Sequence, residues 1–297
     1  MTNDTSEQSN LEELRQLIDA IDVELHQKII ERVGLIDKVA EVKQNMDGNF
    51  HAMRPGREAS MPRELEKRHQ GQMQVGSVIR IWRELINGAT ALQGPYSVAV
   101  CVPEELIGYW DIARNHFGST VPMTFHTSPS VVLQRVQEVP GAIGLLPLPQ
   151  MGEKEPWWPV LAGETDTQTV TRVIWRLPFY SLPTGQCEKL EALAVAKLVP
   201  EASGQDMTLL SLETDRDTPQ ARLLEQLEIY DFAYQPLSIQ EAGEAGRHLL
   251  LIELEGFINP DDCRLQSLQA KMGGEFMRIA VLGAYPKSLT QDFGKSG

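Results

Sequence analysis

The sequence predicts a multidomain chain: an all-α segment first, a small α/β segment next, and an α+β unit of ferredoxin-like order last. Three observations predict it. Apolar residues recur at spacings of three and four from Leu14 to Val42, the period of an amphipathic helix. Gly94-Pro95 ends the helical periodicity, and short apolar runs then alternate with helical stretches. From residue 190 onward the runs read as a βαββαβ unit. The boundaries that follow are 11–94, 95–182 and 188–290.

The first helix rests on Leu14, Leu17, Ile18, Ile21, Leu25, Ile29, Ile30, Val33 and Ile36. Ser9 or Asn10 can cap its start, with Glu12 and Glu13 in the first turn. A run of about 33 residues is roughly 50 Å long at 1.5 Å per residue. A small monomer cannot cover that length, so the helix wants a partner chain or a bundle. Asp47-Gly48 and Arg54-Pro55-Gly56 mark turns. A second helix is predicted over 57–68, where Pro62 fits only the first turn or a kink. A third is predicted over 75–93, with Val78, Trp82, Leu85, Ile86, Ala89 and Leu92 facing inward. Strands follow over 96–102, 122–126, 142–146 and 169–177, with helices over 104–117 and 129–137 and a turn-rich linker over 153–159. The last unit reads as strands over 190–198 and 207–213, a helix over 218–227, strands over 232–239 and 248–254, a helix over 260–271 and a strand over 276–283.

Composition narrows the function classes. Asp plus Glu number 41 against 27 Lys plus Arg, a formal charge of -14. That field argues against a nucleic-acid partner, which needs a positive surface. A small anion could still bind where basic residues are concentrated. No run approaches the roughly 18 apolar residues of a membrane span. Cys101, Cys187 and Cys263 are far apart and odd in number, which reads as free thiols in a reducing compartment. The first ten residues lack the apolar run of a secretory leader, so the expected place is the cytoplasm. No His or Cys grouping has ligand spacing, and neither metal nor cofactor is expected.

Three basic residues in the helical segment stand out. Arg32 and Lys43 are 11 apart, three helical turns, so they share one face. Arg15 precedes Arg32 by 17 residues, roughly 25 Å along the axis. It cannot share a small ligand with Arg32 of its own chain, but in an antiparallel dimer it could reach the site of a second copy. Taken alone, such charges on a long helix are more often solvated surface.

In combination they point further. LRQLIDAIDVEL at 14–25, ERVGLIDKVAEVK at 31–43, RPGRE at 54–58 and IWRELINGATALQ at 81–93 together resemble the all-helical chorismate mutase family, in order and in spacing. The resemblance implies an intertwined homodimer that rearranges chorismate to prephenate in phenylalanine and tyrosine biosynthesis. It implies Arg32 on one substrate carboxylate and Arg15 of the other chain on the second. Lys43 and Gln93 would donate to the ether oxygen, and Glu58 would accept from the substrate hydroxyl. Arg57 falls on the same motif, and Ala89 stands where some members have a substrate-touching serine. The reaction is pericyclic, so it needs no nucleophile, metal or general base. It needs a compact, oriented conformer and donors where charge grows.

The remaining residues resemble a shortened prephenate dehydratase followed by an ACT-like domain. GAIGLLPLP at 141–149 and VTRVIWRLPF at 170–179 carry the first resemblance, the latter placing Thr171 and Arg172 on a threonine-arginine strand. LLLIELEGF at 249–257 and FMRIAVLGAYP at 276–286 carry the second. Only 20 residues separate Gln150 from Thr171, too few for the second lobe of a dehydratase. Thr171 and Arg172 are therefore expected to be structural remnants, and the chain to be a mutase. Two alternatives are a bifunctional mutase/dehydratase and a non-catalytic regulatory partner of another pathway enzyme.

Overall fold

A computed structural model describes residues 2–44, 52–103, 108–153, 155–163, 170–180, 190–215, 219–242, 247–272 and 276–289. The chain forms two compact units, Met1–Phe50 and His51–Gly297.

The first unit is one helix, α1 (Thr2–Gln44). It starts earlier than the sequence reading places it. Residues 2–10 contain no glycine or proline, so the polar stretch extends the helix instead of capping it. Its apolar stripe is open to solvent, with Leu17 62%, Ile18 57% and Ile21 56% exposed. Helices draw most of their stability from burying such a face.

In the second unit, α2 (Pro55–Arg68) and α3 (Val75–Gln93) lead into a sheet. Pro55 takes the first helical turn, where a missing N–H costs nothing. The helix then runs through Pro62, whose ring is buried. The strands are β1 (Ser97–Cys101), β2 (Met123–His126), β3 (Ala142–Pro147), β4 (Arg172–Leu177), β5 (Ala192–Ala196), β6 (Asp206–Asp215), β7 (Tyr234–Ala242), β8 (Arg247–Glu255) and β9 (Phe276–Pro286). Their order is β2-β1-β3-β5-β4-β9-β6-β8-β7. β1 pairs in parallel with β2 and β3, and β5 lies antiparallel between β3 and β4. β6, β8 and β7 run antiparallel beyond β9.

Side chains alternate across this sheet and split its core in two. Val98 and Val100 join the cluster under α4 (Gly108–Phe117), with Phe117, Ile174, Trp175 and Phe179. Ala99 and Cys101 join the opposite cluster under α5 (Pro129–Glu138), with Trp157, Trp158, Val173 and Leu193. Trp157 and Trp158, packed inside as a pair of tryptophans in a short segment suggests, close the turn-rich linker read over 153–159 and precede a short helix, α6 (Pro159–Gly163). A third cluster lies beneath α7 (Gln220–Ile229) and α8 (Cys263–Met272), whose succession with β6 to β9 is βαββαβ.

Strand 190–198 departs from expectation. The sequence reading puts it in the terminal unit, but β5 is central to the other half of the sheet. All five of its residues are buried, as a strand covered on both faces must be. The two halves meet along β4 and β9 at one register position, Val173 with Gly283. Side chains reinforce that seam. Arg172 Nη1 donates to the Val281 carbonyl at 2.7 Å. Arg176 Nη1 donates to both oxygens of buried Glu253 at 2.8 Å, and its other nitrogens reach Glu191 at 3.0 and 3.2 Å. Tyr285 donates to Glu253 as well.

Candidate functional site

α2 is set down on the chain at 201–206 by close backbone approach and by arginines. A Cβ on Gly56 would lie 2.9 Å from the Glu201 carbonyl, so this contact admits only glycine without a shift. Arg54 forks onto the Glu201 carboxylate, with Nη2 at 2.9 Å from Oε2. Arg63 donates to the carbonyls of Ser203, Gln205 and Lys287 and to the Ser203 hydroxyl, at 2.8 to 3.1 Å. The Asp206 carboxylate orders that loop by accepting from the Ser203 and Gly204 amides.

This docking turns Glu58 inward. Its Oε1 accepts from the Arg54 amide at 3.2 Å, and its Oε2 accepts from Arg83 Nη1 of α3 at 3.3 Å. Glu58 is 7% exposed and Arg83 4%. Burial pushes the Glu58 carboxyl above its ordinary value, against the opposing pull of Arg83. Burial likewise lowers the Arg83 guanidinium, against the pull of Glu58. The guanidinium carbon lies 5.0 Å from the centre of the Trp175 ring and 5.6 Å from that of Phe179. His116 of α4 packs edge-on against Trp175, with ring centres 4.6 Å apart. Burial, and Arg83 after it, hold the His116 imidazole well below its ordinary value. Asn87 Nδ2 donates to the carbonyls of Arg83 and His116, and Asn87 Oδ1 accepts from the Tyr96 hydroxyl at 2.8 Å.

α3 thus buries part of the face its apolar residues suggest, Ile86 and Ala89, together with polar residues that apolar spacing does not pick out. Ile79, Arg83, Ile86, Asn87 and Thr90 face inward, while Leu92 is 62% exposed. The polar members are tolerated inside because each finds a partner. Arg83, His116 and Trp175 escape the sequence reading. A charged residue four after Ile79 and three before Ile86, on one helical face, is the signal that could have found Arg83.

The residues singled out by motif fall as follows. Arg15 is exposed on α1, 3.7 Å from Glu12. Arg32 is half-buried on the same helix. Lys43 belongs to α1, but its side chain lies outside the described residues, as do Asp47-Gly48 and Cys187. Arg57 is exposed at the start of α2. Ala89 is buried, and its carbonyl accepts from Gln93 Nε2 at 3.1 Å. Thr171 is buried and accepts from Gln137 Nε2 at 2.7 Å. The structure therefore brings together Glu58 with Arg83, Ala89 with Gln93, and Thr171 with Gln137. Among the described residues there is no cluster of side chains suited to a metal ion, and no helix is long and apolar enough to cross a membrane.

Comparison with known proteins agrees with the helical motifs. The family model Chorismate mutase type II matches residues 14–94. The bifunctional chorismate mutase/prephenate dehydratase of Pseudomonas aeruginosa is 30% identical over 146 residues, covering 48% of this chain and 40% of that protein. That span is longer than the whole chain up to residue 94, so it reaches into the β-rich region. Among solved structures, the prephenate dehydratase of Streptococcus mutans superposes with a TM-score of 0.46 at 11% identity, over 65% of this chain and 99% of that one. GqqA, a quorum-quenching acylase, superposes with a TM-score of 0.45 at 14% identity, over 66% of this chain and 97% of that one. Residues 14–94 are a chorismate mutase type II domain, fused in this chain to a β-rich region related to that of the bifunctional mutase/dehydratase.

Proposed function

We propose that this chain rearranges chorismate to prephenate. The match of residues 14–94 to the type II mutase model carries the proposal, and the motif resemblance assigns Arg15, Arg32, Lys43, Glu58 and Gln93 to the site. The substrate is a dianion, and guanidinium groups suit its two carboxylates through paired hydrogen bonds. Arg32 takes one carboxylate and Arg15 of a second copy takes the other. As the C–O bond breaks, negative charge grows on the ether oxygen. Lys43 and Gln93 donate there, so the transition state is bound more tightly than the ground state. Glu58 accepts from the substrate hydroxyl and holds the ring.

The test is chorismate consumption with product identification, for wild type, Lys43→Ala and Arg32→Ala. One lost transition-state donor costs about 3–4 kcal/mol, so kcat of Lys43→Ala is expected to fall on the order of a hundredfold or more. An unchanged kcat refutes the assignment of Lys43.

A second reading adds dehydratase chemistry. The similarity to a bifunctional mutase/dehydratase favours it, and of the two readings it agrees more closely with that relative's activities. Against it, Thr171 and Arg172 are engaged by Gln137 and the Val281 carbonyl. Formation of phenylpyruvate from prephenate by the purified chain decides for it, and accumulation of prephenate decides against it.

A further inference from the structure

Building on the assignment of Glu58 to the substrate hydroxyl, we propose that Arg83 positions the Glu58 carboxylate and that Trp175 and Phe179 hold Arg83 in place. The β-rich region then takes part in the mutase reaction through two aromatic rings.

The geometry runs in one chain of contacts. Glu58 keeps its carboxylate against Arg83 Nη1 at 3.3 Å and the Arg54 amide at 3.2 Å. A carboxylate offers about four acceptor directions, so these two bonds leave room for a hydroxyl. Arg83 is a long side chain that would sample many rotamers if it were free. The Trp175 and Phe179 rings stop it, at 5.0 and 5.6 Å from the guanidinium carbon, and the two rings brace one another at 5.1 Å between centres. Both rings belong to β4 or the residues just after it, not to the helical domain.

The cluster is a poor choice for stability alone. A buried ion pair seldom outdoes apolar packing of the same volume. Here the pair is also incompletely satisfied. Arg83 Nη2, Trp175 Nε1 and His116 Nε2 are buried without a hydrogen-bond partner among the described residues. Such leftover polar atoms are expected where a function constrains the side chains. Without Arg83, burial would favour the protonated form of Glu58 and its rotamer would be free. A hydroxyl binds more weakly to a neutral acid than to a carboxylate.

The experiment is steady-state chorismate kinetics on the full chain, comparing wild type with Arg83→Met, Arg83→Lys, Trp175→Phe, Glu58→Gln and the Glu58→Gln/Arg83→Met double variant. Arg83→Met should raise KM on the order of tenfold, with kcat within about threefold. Lysine should restore part of the loss. Trp175→Phe should raise KM in the same direction by about threefold, although it lies on the sheet. The double variant should be no worse than Glu58→Gln, because the two act as one unit. Multiplicative effects in the double variant overturn the proposal. If Arg83→Met fails to fold, the two conservative variants still decide it, since unchanged KM in both overturns it. Wild type that does not consume chorismate removes the mutase reading itself. Wild-type turnover with an unmoved KM in the variants removes only the role of Arg83.

Discussion

Gly283→Ala is the sharpest test of how the sheet is assembled. Gly283 sits at φ 153°, and an added Cβ would lie 2.2 Å from the Val173 carbonyl oxygen, 2.5 Å from its nitrogen and 2.9 Å from its carbonyl carbon. All three are backbone atoms of β4, so no rotamer change relieves the overlap. The positive φ costs about 1–3 kcal/mol for a residue with a Cβ. Forcing the strand to move adds roughly 1–3 kcal/mol. Together they predict a loss of about 4 kcal/mol. At about 2–4 °C per kcal/mol for a body of this size, Tm should fall on the order of 10 °C. Thermal and urea unfolding of the full chain measure it. Gly204→Ala is the internal control: φ is +89° there, but nothing lies within 4 Å of the added carbon. It should lose only the backbone cost, about 1 kcal/mol. A Gly283→Ala chain within about 0.5 kcal/mol of wild type, or no weaker than Gly204→Ala, refutes the close approach of β4 and β9.

Three more outcomes follow from buried charge and from the helices. Arg176→Met leaves the Glu253 carboxylate, which is 3% exposed, with the Tyr285 hydroxyl but without its opposite charge, and should cost about 3–5 kcal/mol in urea unfolding; a loss under about 1 kcal/mol would show that the hydroxyl suffices. His116 is held neutral by burial and by Arg83 at pH values where the unfolded chain protonates it, so the unfolded state binds more protons below about pH 6.5 and stability should drop as pH falls through that value. In His116→Gln that component of the decline should vanish, and urea midpoints at pH 7.5 and 5.5 that decline as steeply as in wild type would refute the assignment. A sedimentation measurement should find two chains per particle, as the use of Arg15 from a second copy requires; a monomer that turns over chorismate at full rate would exclude that use.

What the sequence shows and what it hides divide along the range of the interactions. Helix and strand periods are local, so α3, β6, β8 and the C-terminal end of α1 could be read from apolar spacing within a few residues, whereas the polar start of α1 could not. β5 shows the limit. Its five residues are all buried, so the run announces a central strand but carries no mark of which half of the sheet it enters. The face of α3 shows another. Apolar spacing picks out Val78, Trp82, Leu85, Ile86, Ala89 and Leu92, of which Ile86 and Ala89 are buried, whereas the fold also buries Arg83 and Asn87 because their partners lie elsewhere in the chain. Glu58 is 25 residues from Arg83, and Trp175 is farther still. The motif names Glu58, but only the folded chain joins it to an arginine and two rings. Arg15 and Arg32 are legible through the motif alone.

Only one paired position joins β4 to β9, yet the side chains ignore that narrowness. Arg172 and Arg176 cross it, and one apolar cluster holds Val173 and Leu193 on one side with Leu209, Leu251 and Leu282 on the other. A backbone hydrogen bond or two can open there cheaply, but parting the side chains exposes a carboxylate and a wide apolar surface at once. The two halves should therefore melt together. A calorimetric scan should give residues 51–297 a single endotherm, with calorimetric and van't Hoff enthalpies in agreement.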